Sequence, residues 1–249
     1  MNEIVAEFIG TFLLILLGNG VVANVVLNDT KGHNSGWIVI SLGWGLAVFV
    51  GVAVAGPVSG AHINPAVSLG LASAGLFPWV KVLPFVLAQM LGAMTGAFSV
   101  WLFYRHHFNR TEDSGSQLGC FSTGPTIRKT GSNFLSEMIG TFVLIFVILY
   151  IVEPSVSLGG ETEVKMGLGT LGALPVALLV TAIGLSLGGT TGYAINPARD
   201  LGPRIMHTIL PMRHKGSSDW SYAWIPILGP FAGALLAAAL FLLHGLIIH

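Results

Sequence analysis

The apolar residues of this chain come in long blocks. Six of them, at 4–27, 37–56, 82–104, 134–152, 167–188 and 222–247, reach the roughly 20 residues that a helix needs to cross a bilayer. Two further apolar stretches, 65–74 and 197–207, have about half that length. Each opens on the triplet Asn-Pro-Ala: Asn64-Pro65-Ala66 and Asn196-Pro197-Ala198. Proline fits the first turn of a helix, where its missing N–H has no partner to lose, and asparagine is a preferred N-cap. Each triplet therefore predicts the start of a half-helix. The polar stretch 105–132, with Arg105, Arg110, Glu112, Asp113, Arg128 and Lys129, predicts a water-exposed connection.

Composition agrees with lipid as the solvent. Charged residues make up 9% of the chain and hydrophobic ones 53%, with a mean hydropathy of +0.79, whereas a soluble domain carries about 25% charged residues. The first block is longer than a signal-peptide core of 7–15 residues and has no Lys or Arg before it, so it reads as a retained helix. Zero net charge gives no indication of a nucleic-acid partner. The single cysteine, Cys120, excludes an intrachain disulfide framework and a cysteine-based zinc site.

The chain repeats itself. Ala6-Glu7-Phe8-Ile9-Gly10-Thr11-Phe12 matches Ser136-Glu137-Met138-Ile139-Gly140-Thr141-Phe142. Gly92-Ala93 in the third block matches Gly233-Ala234 in the sixth, and the two triplets share the context Gly-x-x-Ile-Asn-Pro-Ala. Three spans per half is an odd number, so the second half must enter from the opposite face, which makes an inverted repeat. The expected division is a first repeat over 1–104, a connection over 105–132 and a second repeat over 133–249. Gly92, Gly96, Gly229 and Gly233 suit close helix crossings in lipid. With cytoplasmic termini, only Lys81 and Lys165 fall in the intervening inner loops. Arg105, Arg110, Arg128, Lys129, Arg213 and Lys215 then lie outside, against the positive-inside rule.

The triplets carry the chemistry. A half-helix presents free backbone N–H groups and about half a positive charge at its N-terminus. Two such ends meeting at mid-membrane repel cations and protons. The side chains of Asn64 and Asn196 would offer amide N–H donors to a lumen. The segments before them, Gly60-Ala61-His62 and Gly192-Tyr193-Ala194, would be unwound and present carbonyl acceptors, because non-helical backbone at this depth is tolerated only beside protein or water. Donors at the centre and acceptors on both sides suit a neutral hydroxyl-bearing solute.

On these residues the chain resembles the major intrinsic protein family, the aquaporins and glycerol facilitators, over nearly its whole length. The resemblance implies an all-α membrane fold of six transmembrane helices plus two half-helices in an inverted repeat, a right-handed bundle. It also implies a homotetramer in the plasma membrane with one pore per subunit and cytoplasmic termini. The family's outer constriction maps by spacing to Trp44, Gly184, Tyr193 and Arg199. Gly184 leaves room where water-selective members place His. Trp44 and Tyr193 would form an apolar wedge for a carbon backbone, with Arg199 donating to hydroxyls opposite. Asp200 extends the second triplet to Asn-Pro-Ala-Arg-Asp, resembling the glycerol-facilitator branch, as does Pro226-Ile227. Tyr193 departs from that branch, which carries Phe there, and its hydroxyl is expected to narrow or wet the filter. Gly124 replaces an aromatic residue.

The expected activity is passive conduction of glycerol and other small neutral polyols, and of water, with ions and protons excluded. Dihydroxyacetone, lactic acid, urea and hydrogen peroxide are further candidate solutes. The alternatives are a mainly water-selective aquaporin and an ion-coupled transporter. Coupling would need a titratable group in the pathway. Glu7 and Glu137, intramembrane carboxylates that by default mark function, read by resemblance as buried acceptors for loop N–H groups, and Asp200 as a support for the Arg199 loop. An adhesion protein would need longer water-facing loops than those outside 105–132. Neither a nucleophile–base pair nor a metal cluster stands out, so no enzyme and no cofactor is expected. His62 reads as loop support, His106-His107 as a wet loop end and Cys120 as a spectator.

Overall fold

The computed structural model describes residues 1–152, 154–157 and 163–248. Nine α-helices occur among them: α1 Glu3–Val26, α2 Trp37–Ser59, α3 Pro65–Ser73, α4 Trp79–Arg110, α5 Ser114–Gly119, α6 Thr130–Tyr150, α7 Leu174–Leu187, α8 Pro197–Ile209 and α9 Ile225–Ile248. Six helical segments are long and apolar enough to span a membrane, and they coincide with the six apolar blocks. The chain is a multi-pass, essentially all-α membrane protein. The half-helices are α3 and α8, each with Pro at its first position and Asn as N-cap.

Contacts come in matched sets. The helix α1 packs against α2 and α4, while α6 packs against α7 and α9. Each half-helix leans on the other half of the chain, α3 on α9 and α8 on α4. Glycine allows two close helix crossings. A Cβ on Gly92 would lie 2.4 Å from the Phe8 carbonyl, and one on Gly233 would lie 2.2 Å from the Met138 carbonyl. These are backbone atoms, so neither site accepts a side chain without parting its helix pair. Gly96 and Gly229 are nearly as crowded, at 2.8 Å from Phe12 O and Glu137 Cβ.

The connection 105–132 is partly helical at both ends. The third span continues as helix to Arg110 and α6 begins at Thr130. Arg and His are tolerable helix residues, so loss of apolarity past Tyr104 ends the apolar block without ending the helix. Within the remainder, Asp113 caps α5 by accepting from Gly115 N and Ser116 N. The segment between α6 and α7 is likewise more than a plain loop. Ser155–Ser157 (β1) pairs antiparallel with Glu163–Lys165 (β2), and a 3-10 turn over Gly169–Ala173 precedes α7. The fifth span therefore starts its α-helix at Leu174, not at 167.

Candidate functional site

The segments before the triplets are held in a conformation that side chains resist. Gly60, Ala61 and Ile63 have φ of 81°, 50° and 43°, and Gly192, Tyr193 and Ile195 have 83°, 38° and 46°. A β-branched residue at positive φ is an outlier, and such strain costs about 1–3 kcal/mol per residue. Two buried carboxylates hold it in place. Glu7 accepts from His62 N at 2.9 Å, Ile63 N at 2.7 Å, Ser59 Oγ at 2.6 Å and Gln89 Nε2 at 2.7 Å. Glu137 accepts from Ala194 N at 3.0 Å, Ile195 N at 2.9 Å and Thr191 Oγ1 at 2.7 Å. These bonds satisfy two consecutive backbone N–H groups in each segment.

The two asparagines clasp each other's loop. Asn64 Oδ1 accepts from Ala66 N at 2.9 Å, and its Nδ2 donates to Ile195 O at 2.9 Å. Asn196 Oδ1 accepts from Ala198 N at 3.0 Å and Arg199 N at 3.2 Å, and its Nδ2 donates to Ile63 O at 2.9 Å. One amide hydrogen of each is thus structural. An amide nitrogen carries two, which leaves one on each side chain for the lumen.

A cavity of about 270 Å³ runs past both asparagines. Part of its lining is aliphatic: Leu14, Val48, Val52, Val67, Leu71, Leu144, Ile148, Val176 and Val180. The rest comes from Trp44 and from Gly60, Ala61, His62, Ile63, Asn64, Tyr193, Ala194, Ile195, Asn196 and Arg199. Of the segments expected to form the acceptor track, Gly192 stands apart from this lining; its N–H bonds back to Gly188 O at 2.9 Å. His62 is buried, shares a hydrogen bond with Ser68 Oγ at 3.0 Å, and packs edge-on against Phe77 and Phe85.

Trp44, Tyr193 and Arg199 all line the cavity. The Arg199 guanidinium carbon lies 4.1 Å from the centroid of the Trp44 ring, a cation–π contact. Trp44 is seated on Gly18, where a Cβ would stand 2.3 Å from the indole. Gly184 does not line the cavity. A Cβ there would lie 2.8 Å from Tyr193 Cζ and 2.9 Å from Tyr193 OH. The space that Gly184 leaves is therefore filled by the far end of Tyr193. The phenol hydroxyl is buried and turned into the wall, so it does not wet the lumen as the sequence led us to expect. Gly124 is exposed with open space around its Cα, and it touches none of this.

Asp200 has a partner that the sequence reading passed over. Arg204 Nε donates to Asp200 Oδ1 at 2.8 Å and its Nη2 to Asp200 Oδ2 at 3.0 Å; both side chains are fully buried. Arg204 also donates to Thr123 O at 2.9 Å, Ser218 O at 2.7 Å and Asp219 O at 3.1 Å. Asp200 in turn accepts from Thr123 N and Thr123 Oγ1, both at 2.8 Å. The pair thus staples residues 121–123 beside Arg199, whose Nη1 faces Phe121 O at 3.5 Å. The signal was available: an acid and an arginine four apart on a predicted helix share a face. Nearby, burial alone would raise the Asp219 carboxyl, but Arg128 and Ser221 hold it below the usual carboxylate range.

Comparison with known proteins gives the family. The glycerol uptake facilitator protein of Streptococcus pneumoniae (strain ATCC BAA-255 / R6) is 55% identical over 241 residues, covering 97% of this chain and 98% of that one. The probable glycerol uptake facilitator protein of Thermotoga maritima is 54% identical over 241 residues, with the same coverage. Among solved structures, the X-ray structure of the aquaglyceroporin from Plasmodium falciparum superposes with a TM-score of 0.80 at 34% identity, covering 96% of this chain and 94% of that one. The family profile described as Major intrinsic protein matches residues 1–241. The chain belongs to the major intrinsic protein family.

Proposed function

We propose that this protein is a passive channel for glycerol and other small neutral polyols, which also passes water and excludes ions and protons. The observation that carries the reading is the two-sided character of the lining, aliphatic side chains on the one hand and the strained backbone of both loops with the two asparagine amides on the other. A polyol has the same two sides, a carbon backbone and a row of hydroxyls. The names of the relatives, glycerol uptake facilitators at 53–55% identity, support the same solute.

In this reading Trp44, Gly184, Tyr193 and Arg199 form the selective constriction, with Gly184 acting through the position of Tyr193. The carbonyls of Gly60, Ala61, His62, Tyr193 and Ala194 receive solute hydroxyls. Gly192 contributes its backbone turn. Asn64 and Asn196 donate at the centre, where the positive ends of α3 and α8 oppose cations. Glu7, Glu137 and Asp200 hold the loops. The chain is two inverted halves joined through residues 111–129, set in the cell membrane as a homotetramer with cytoplasmic termini. Dihydroxyacetone, urea, lactic acid and hydrogen peroxide are small enough to be secondary solutes.

Proteoliposomes holding the purified protein test this. Stopped-flow light scattering is expected to give fast relaxation under both water and glycerol gradients, with no change when a proton gradient is imposed. Fast water with no glycerol flux would overturn the polyol assignment, and acceleration by the proton gradient would overturn the passive one. Mercury should leave both fluxes unchanged. Cys120 is fully buried, its thiol bonded to Ser116 O at 3.2 Å, and burial pushes that thiol far above its ordinary titration range, suppressing the reactive thiolate. Mercury block that vanishes in Cys120→Ser would show instead that reagent reaches the thiol.

A further inference from the structure

Two buried hydroxyl groups converge on the bare Cα of Gly184. Tyr193 OH and Ser41 Oγ lie 2.9 Å and 3.1 Å from the point that a Gly184 Cβ would occupy. Ser41 is fully buried and Tyr193 nearly so. Neither oxygen has a hydrogen-bond partner in the structure, and both stand within 3.1 Å of that one point. Trp37 closes the niche from the far side. Its indole N–H donates to Gly184 O at 2.9 Å, and its ring meets the Tyr193 ring edge-on at 5.8 Å. Tyr193 is a lumen residue whose polar end has left the lumen, and Ser41 is the side-chain hydroxyl placed to receive it.

We infer that Ser41 is a positioning residue for selectivity: a hydrogen bond between the Ser41 and Tyr193 hydroxyls latches the Tyr193 ring against Gly184 and keeps the constriction wide enough for a polyol. This inference rests on the proposal that Tyr193 forms the constriction. A buried hydroxyl without a partner is costly. With Ser41 removed, the Tyr193 hydroxyl gains by turning back into the lumen, and there it narrows the path. A water file tolerates that loss of width better than glycerol does.

The test is a cycle of Ser41→Ala, Tyr193→Phe and the double variant, read as the ratio of glycerol to water permeability in proteoliposomes. Ser41→Ala is expected to lower the ratio about tenfold, the scale of population shift that one orphaned buried hydroxyl drives. Tyr193→Phe sets the ratio of a constriction that has no hydroxyl to satisfy, and the double variant should recover from the Ser41→Ala value to that of Tyr193→Phe. That recovery separates the latch from misfolding, which a second substitution would not repair. An unchanged ratio in Ser41→Ala overturns the latch, and so does a double variant as impaired as Ser41→Ala. Tyr193→Trp serves as the control on the reading beneath. If it leaves glycerol flux intact, Tyr193 is not in the constriction at all.

Discussion

Arg204→Met is expected to destabilise the protein more than any other single change of comparable size. All five N–H groups of Arg204 are satisfied in the structure: two on Asp200, and one each on Thr123 O, Ser218 O and Asp219 O. Methionine fills similar volume and supplies none of them. Asp200 would keep its charge in a fully buried site with only Thr123 left to bond it, and three carbonyls would lose a donor. Breaking a buried ion pair from one side costs about 3–5 kcal/mol, which for a chain of this size corresponds to a fall of about 6–20 °C in the unfolding midpoint. Thermal unfolding of the detergent-solubilised protein measures it. Arg204→Lys should rescue little, because an ammonium cannot span acceptors placed for a planar fork. Adding Asp200→Asn to Arg204→Met should recover part of the loss by removing the stranded charge. A midpoint within about 1 °C of wild type in Arg204→Met would mean that this cluster does not hold residues 121–123 to α8.

How much of this arrangement can be read in the residues depends on how local each signal is. Span number, half-helix starts and the asparagine caps are local, and the structure has them where the sequence puts them. The glutamates were legible because they occur twice: Glu7 and Glu137 sit in the same heptapeptide, and the structure gives both the same pair of loop N–H partners. What stayed hidden depends on contacts between distant segments. Nothing in the sequence says that Ile63 and Ile195 adopt positive φ, because β-branched residues argue against it, and the Glu7 and Glu137 hydrogen bonds that enforce it span more than fifty residues. Nor can spacing tell which way Tyr193 points. Gly184 read as empty volume, and volume in a packed interior is taken by whatever lies nearest, here the phenol end of Tyr193. The end of α4 was misplaced for a simpler reason: hydropathy finds where lipid stops, and a helix can run on into water.

Arg199→Ala is expected to change what the channel refuses. The guanidinium is buried, fixed over Trp44 at 4.1 Å and directed toward Phe121 O, so truncation both widens the constriction and removes its charge. A monovalent cation about 4 Å from a fixed positive charge meets about 4 kcal/mol of repulsion at an effective dielectric of 20, worth about a thousandfold in rate. A hydrated lumen screens part of that, so proton and small-cation flux should rise by between about tenfold and about a thousandfold. Absolute currents should stay small, because the N-terminal ends of α3 and α8 still oppose cations at the asparagines. Polyols larger than glycerol should enter as well, while water flux changes little. Arg199→Lys should divide the two effects, retaining charge repulsion but losing the flat stack on Trp44, so that solute size selection relaxes without a proton leak. Liposomes loaded with a pH indicator, together with swelling in a series of polyols of increasing length, read both arms. Wild-type proton exclusion and wild-type size selection in Arg199→Ala would remove this residue from the constriction and would leave the half-helix ends as the sole barrier to charge.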